Sequence, residues 1–424
     1  MLRQALKKIL AILAGRTIRR YKPIIIGITG SVGKSSTKEA VFAAISSKYR
    51  TRRNEENFNN EIGVPNAVLG VNFSGSPTEK ILNLLRSFWL AFGPKQDNYP
   101  KVLVLELAAD RPGDIGYLVK IVKPRIGIIT PIGDMPVHVQ FYKGPAEVAA
   151  EKAKLLECLP KNGLGVIFSD DPVSLALRSK CSAPSLTYGF DKKADFRISD
   201  VNYFLSDLED EQTVFNQNTI GGLSFKVNAK ASFVPVKLPG VIAPHLVNAA
   251  AAAAAVCDYL GINLVDFSQA VEKVRFPQHR MQLFNGVKKS YVIDDTYNAS
   301  PIAVQAAANA MDAFSQAVKK IFRPGRKIAV LGDMKELGDF QISAHQEIGN
   351  LVGEKVDILI TVGEAAKFIA DAAGNHMKKE NIFSFSSSEE AKGKVKEIIE
   401  EGDVILVKGS HSMQMDKIVE EIRH

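Results

Sequence analysis

A short apolar run closed by glycines and followed at once by a helix-forming stretch constrains this chain most. Residues 24–28 (IIIGI) read as a strand buried on both faces, and residues 34–47 as the helix after it. The same alternation continues through strands at 101–107 (KVLVLEL), 125–130 (RIGIIT), 163–169 (GLGVIFS) and 185–188, with a helix over 112–122 entered through Pro-Gly. Such a series predicts a parallel sheet covered by helices. Residues 195–240 break the pattern. Short alternating stretches at 196–201, 213–215 and 223–227, separated by Asn, Gly and acidic turns, predict a small antiparallel patch. The alanine run 249–255 predicts a tightly packed helix. A second alternating series starts near Arg280, with strands at 291–294, 327–331, 357–361, 382–384 and 404–407. Its helices are expected at 302–314, 342–352, 365–372, 388–399 and 413–422. The fold class is therefore α/β, divided into an N-terminal helix (1–22), a central domain (23–278) and a Rossmann-like C-terminal domain (279–424). A hinge is expected at 276–280.

Composition narrows the function classes. The 424 residues are 46% hydrophobic and 24% charged, which excludes a disordered or collagen-like chain. Cys158, Cys181 and Cys257 form no CxxC pair, so a cysteine-built zinc site is not expected and a reduced, cytoplasmic setting fits. The net charge of +8 sits in one place: Arg3, Lys7, Lys8, Arg16, Arg19, Arg20 and Lys22 face no acid within residues 1–22. The other 402 residues carry 47 bases against 46 acids, so no nucleic-acid footprint is expected. In the same basic segment Leu2, Leu6, Ile9, Leu10 and Leu13 follow helical spacing. The apolar run 9–14 is too short to cross a bilayer, which takes roughly 20 residues. Two readings stay open, a helix packing its stripe on the body and an interfacial helix held peripherally to anionic lipid on the inner face of the membrane.

The loop between the first strand and helix carries the sharpest chemistry. Residues 27–36 read GITGSVGKSS, with the strand–helix context of a loop whose backbone N–H groups surround phosphates. Gly30 and Gly33 permit close backbone approach, with Ser31 and Ser36 beside them. Lys34 supplies a point charge to the outer phosphates and Ser35 can ligate magnesium. The first glycine of the usual pattern is displaced, because Ile28 stands where it is expected and Gly27 comes one residue early. Glu106 ends a neighbouring strand, where an acid can reach a loop-bound metal. The central domain is thus expected to bind ATP and Mg2+.

Four further segments stand in order along the chain: NFNNEIGVP at 57–65, DDTYNASP at 294–301, LGDMKELG at 331–338 and VKGSHSM at 407–413. With the phosphate loop they resemble the Mur ligase family, ATP-dependent amide-forming enzymes of peptidoglycan assembly. The resemblance is strongest to the branch that adds D-alanyl-D-alanine to a muramoyl-peptide carboxylate. It implies an ADP-forming ligase working through an acyl phosphate, with a muramoyl-peptide precursor and D-alanyl-D-alanine as substrates. It further implies that Lys34, Ser35, Asn248, Asp295 and Asn298 serve the nucleotide, and that Arg280 reaches its γ-phosphate. Glu106 and His138 (in TPIGDMPVH, 130–138, two residues longer than the family's segment) become metal ligands. Lys152, in VAAEKAKLL at 148–156, matches a lysine that the family carbamylates near a second magnesium. Lys408 and Ser410 fall in the segment associated with the incoming dipeptide, and Asn57, Asn60 and Glu61 in the loop facing the acceptor.

Two departures accompany the match. Only 26 residues precede Gly27, so the family's UDP-binding N-terminal domain is expected to be missing, with acceptor binding absent, replaced or supplied by a partner. In the stretch 239–248 (PGVIAPHLVN), His245 stands where asparagine is expected, while Asn248 is kept. A Mur-like ligase acting on another carboxylate, and a P-loop ATPase that makes no bond, remain the competing readings.

Overall fold

The computed structural model describes residues 2–55, 58–73, 75–136, 138–205, 220–230, 232–319 and 325–424. The stretch 213–215, read above as a strand, lies outside them, as does Asn57. Two sheets organise the chain. The first contains β1 (Ile24–Thr29), β2 (Thr51–Arg53), β3 (Val102–Glu106), β4 (Ile126–Ile129), β5 (Leu164–Phe168), β6 (Ser185–Gly189), β7 (Phe196–Leu205), β8 (Ile220–Ala229) and β9 (Ser232–Pro239). Their order is β2-β3-β1-β4-β5-β6-β7-β8-β9. Strands up to β7 pair in parallel, and β7, β8 and β9 pair antiparallel. The expected antiparallel patch is thus the far end of the same sheet, built on β7.

The parallel strands β3, β4 and β5 are buried at every position, as strands covered on both faces must be. The alanine run lies in helix Val247–Tyr259, whose residues 249–255 are at most 4% exposed. That helix packs on helix Lys34–Ser46 and on β5, β6 and β7. Small side chains let the layers approach without leaving voids.

The second sheet contains β10 (Gln282–Gly286), β11 (Ser290–Asp295), β12 (Lys327–Gly332), β13 (Ile358–Val362), β14 (Ile382–Phe385) and β15 (Val404–Lys408), in the order β10-β11-β15-β12-β13-β14. All pairs are parallel except β10 with β11. In the segment that links the sheets, His279 and Met281 take left-handed backbone angles (φ 58° and 52°).

Residues 2–21 form one helix. It buries Leu10, Leu13, Ala14 and Thr17 against helices Gly63–Leu69, Pro77–Phe92 and Asp114–Val122. Its apolar stripe is thus spent on the body. Among the described residues no helix is long and apolar enough to cross a membrane.

Leu13 is 2% exposed, whereas the adjoining Ile12 is 64% exposed. Leu13→Ala is expected to lower unfolding stability by about 2–5 kcal/mol and Ile12→Ala by less than about 0.5 kcal/mol. Urea denaturation followed by circular dichroism checks this; equal, small effects would show the helix to be undocked.

Candidate active site

Helix Lys34–Ser46 begins at Gly33, so no N-cap side chain competes for its first N–H groups. Ser31 and Val32 instead donate their backbone N–H groups to the carbonyl of Pro131, which pins the loop ahead of the helix. Gly30 is required here: at φ 153°, a Cβ would stand 2.0 Å from Thr130 Oγ1. The displaced Gly27 has another task. It lies in β1, where a Cβ would come within 2.9 Å of Leu155 on the covering helix.

Strand register then brings the metal-type ligands together. Ile28 on β1 pairs with Glu106 on β3, and Ser35 Oγ donates to Glu106 Oε2 at 2.8 Å. Asn59 Nδ2 donates to the other carboxylate oxygen at 3.0 Å. Asn54 holds the Glu106 backbone on both sides, accepting from its N–H and donating to its carbonyl. Lys38, itself buried, donates to the carbonyl of Asn54. Burial works against ionisation of Glu106, but Lys34 and Lys38, helped by Asn59 and Ser35, hold its carboxyl below the usual range. Burial lowers Lys34 in turn, and its Nζ donates to the carbonyls of Gly30 and Ser31.

The second sheet supplies the opposite wall. Arg280 Nη2 stands 3.4 Å from Ser35 Oγ, and its guanidinium stacks 4.0 Å from the ring centroid of Tyr297. Its Nε is buried and has no partner among the described residues. Asp295 and Lys408 are register neighbours on β11 and β15, and Lys408 Nζ donates to Asp295 Oδ2 at 2.6 Å and to the Asn298 carbonyl at 2.7 Å. Burial pushes Asp295 up, with Lys408 opposing.

Lys34, Ser35, Glu106, His138, Lys152, Arg280, Asp295, Asn298 and Lys408 all border one cleft of about 170 Å³, together with Ser31, Gly33 and Ser36. Lys152 is 1% exposed on helix Pro145–Glu157 and forms no ion pair among the described residues. Burial, then the charge of Lys34, lowers it to about 7. His138 lies between two carboxylates, 2.5 Å from Glu336 Oε2 and 3.5 Å from Asp110 Oδ1. A larger cavity of about 420 Å³ adjoins the cleft at Val32, Gly33, Ser36, His245 and Leu246. It is walled by Met135, Phe168, Tyr188, Pro301 and Ile302, and Asn248 borders it with a buried Oδ1 that has no partner among the described residues. Burial, then Lys408, lowers His245 to about 4, so its imidazole is neutral near pH 7.

Other sequence expectations fall elsewhere. Asn60 Oδ1 accepts from the N–H groups of Ile62 and Gly63 at the start of helix Gly63–Leu69. Glu61 pairs with Lys7 of the N-terminal helix. Ser410 Oγ accepts from the Lys335 N–H, bracing the 331–338 segment. None of the three borders the cleft, whereas Asn59, one position before Asn60, does. Asn59, Asn54, Asp110, Tyr297 and Glu336 join the site without a sequence signal of their own. Asn59, Tyr297 and Glu336 lie inside the segments at 57–65, 294–301 and 331–338, but only contacts across the fold separate them from their neighbours.

Comparison with known proteins agrees with this geometry. Residues 88–257 match the Mur ligase middle domain, and residues 279–411 match the domain described as Mur ligase, glutamate ligase domain. The UDP-N-acetylmuramoyl-tripeptide--D-alanyl-D-alanine ligase of Bacillus subtilis is 29% identical over 399 residues, covering 94% of this chain and 75% of that protein. The MurF ligase from Thermotoga maritima in complex with ADP superposes with a TM-score of 0.74 at 25% identity, over 98% of this chain and 83% of that one. A MurF structure from Acinetobacter baumannii gives 0.76 at 23% identity, over 97% and 79%. With both adjoining domain types matched in order and the fold shared along its length, the chain belongs to the Mur ligase family.

Proposed function

We propose that this chain is a cytoplasmic, ATP-dependent, ADP-forming amide ligase of peptidoglycan precursor synthesis, adding D-alanyl-D-alanine to a muramoyl-peptide carboxylate. One observation carries the reading: the phosphate loop with its Ser35–Glu106 pair faces Arg280 of the linking segment and Asp295 and Lys408 of the second sheet across a single cleft. The relatives' names supply the substrates. The apolar cavity beside the loop suits a purine, with Asn248 free to bond its edge.

In the first step an acceptor carboxylate oxygen attacks the γ-phosphorus, the bond to the β-phosphate oxygen breaks, and ADP leaves with that electron pair. Free N–H groups at the start of helix Lys34–Ser46 and the Lys34 ammonium hold the triphosphate, and Arg280, aimed by Tyr297, meets the charge developing on the transferring oxygens. In the second step the dipeptide amine attacks the acyl carbon, loses a proton, and inorganic phosphate departs. A cleft closed by both domains keeps water from the acyl phosphate.

The donor set suits magnesium: Ser35 and Glu106 offer hard oxygens already 2.8 Å apart, and nucleotide and water would complete the shell. His138 and a carbamylated Lys152 would hold a second ion. Bound magnesium would neutralise phosphate charge. Carbamylation needs the neutral amine, which attacks CO2 and then releases a proton. A buried lysine near 7 is about half neutral at pH 7 and about one-tenth neutral at pH 6.

The decisive assay supplies ATP, Mg2+, UDP-muramoyl-tripeptide and D-alanyl-D-alanine, and follows ADP together with the pentapeptide mass. ATP turnover indifferent to amine and carboxylate would instead support a P-loop ATPase, and turnover with another carboxylate a different acceptor. Glu106→Gln is expected to lower kcat by about 10²–10³ and to raise the magnesium needed for half-maximal rate. Activity is expected to fall as pH drops through about 7, with added bicarbonate shifting that limb to lower pH in the parent and not in Lys152→Arg. Full, bicarbonate-insensitive activity of Lys152→Ala would remove the carbamate.

A further inference from the structure

Helix Pro77–Phe92 turns an apolar face outward. Ile81, Leu85, Phe88, Trp89 and Phe92 recur at helical spacing and are 44–62% exposed, while Ser87, Leu90 and Ala91 anchor the opposite side. Ile12 adds a further exposed aliphatic group from the N-terminal helix, which packs alongside. Isolated exposed apolar residues are ordinary, but a continuous aromatic and aliphatic stripe marks a contact surface.

The surroundings specify the occupant. Arg16 of the N-terminal helix lies 4.1 Å from the centroid of the Phe92 ring and donates to the Ala91 carbonyl. Arg20 donates to the Gly93 carbonyl, and Lys95 stands over Tyr21. Arg19 and Arg86 are exposed nearby in sequence on the same two helices. Against these bases, residues 1–22 contain no acid, and residues 75–95 contain only Glu79, whose carboxylate caps its own helix. A second copy of the chain docking on this stripe would set the same bases against themselves. A bilayer of anionic phospholipid instead offers acyl chains to the stripe, phosphates to the bases and an interface to the indole.

We infer that the outward face of helix Pro77–Phe92, rimmed by the bases of the N-terminal helix, is a peripheral docking surface for anionic membrane. The N-terminal helix contributes mainly charge, since Leu10 and Leu13 of its apolar stripe are buried against the body. This inference does not depend on which amide the cleft makes.

Trp89 is the only tryptophan in the chain, so its emission reports the contact directly. The full chain is mixed with vesicles of phosphatidylglycerol and phosphatidylcholine in equal parts, and with pure phosphatidylcholine. Co-sedimentation and a blue shift of Trp89 emission are expected with the first, weakening as salt rises, and about tenfold less binding with the second. Leu85→Ser/Phe88→Ser and, separately, Arg19→Glu/Arg86→Glu are expected to weaken binding about tenfold or more, with unchanged melting and unchanged ATP turnover in solution. No vesicle binding, binding unaffected by Leu85→Ser/Phe88→Ser, or a blue shift that follows protein concentration without vesicles and accompanies dimers in light scattering would each overturn the proposal.

Discussion

The bond from Ser35 to Glu106 is the constraint on which the rest of the site depends. It exists because β1 and β3 are paired in one register, so that a hydroxyl at the start of a helix and a carboxylate at the end of a strand meet inside the protein. A buried carboxylate is costly unless it is compensated, and Lys34, Lys38 and Asn59 provide that compensation. Asn54 fixes the peptide on either side of Glu106, and Lys38 fixes Asn54. The phosphate loop is therefore one end of a polar network that reaches through the helix layer, and its electrostatics are set before any ligand arrives.

The second sheet repeats the device. Lys408 and Asp295 are neighbours in the β11–β15 ladder, so their ion pair follows from the same parallel pairing that builds the core. In both sheets the chemistry stands at the carboxyl ends of the strands, where a parallel arrangement opens a crevice. The linking segment, with His279 and Met281 in left-handed conformations, aims Arg280 from one half at Ser35 of the other.

Much of this was legible in the residues. Apolar runs such as 101–107 and 404–407 and the glycines of 27–36 announce buried strands and a phosphate loop, because periodicity and glycine placement are local properties. Features that depend on distant partners were not legible. Lys152 and Lys154 sit two positions apart on one helix, yet one is buried and the other reaches Glu151 in an ion pair. Asn60 reads as a ligand and serves as a turn cap, while Asn59 faces the cleft. Helix Pro77–Phe92 was missed although its capping box is present in the sequence as Ser76 and Glu79. Its stripe has the spacing of a core-facing helix, yet the fold turns that face outward.

One hydroxyl joins the two halves of the cleft. Ser35 Oγ has a single proton, given to Glu106, and its remaining lone pairs face the guanidinium of Arg280. Whatever moves this oxygen is therefore felt at once by the carboxylate of one half and the guanidinium facing it from the other.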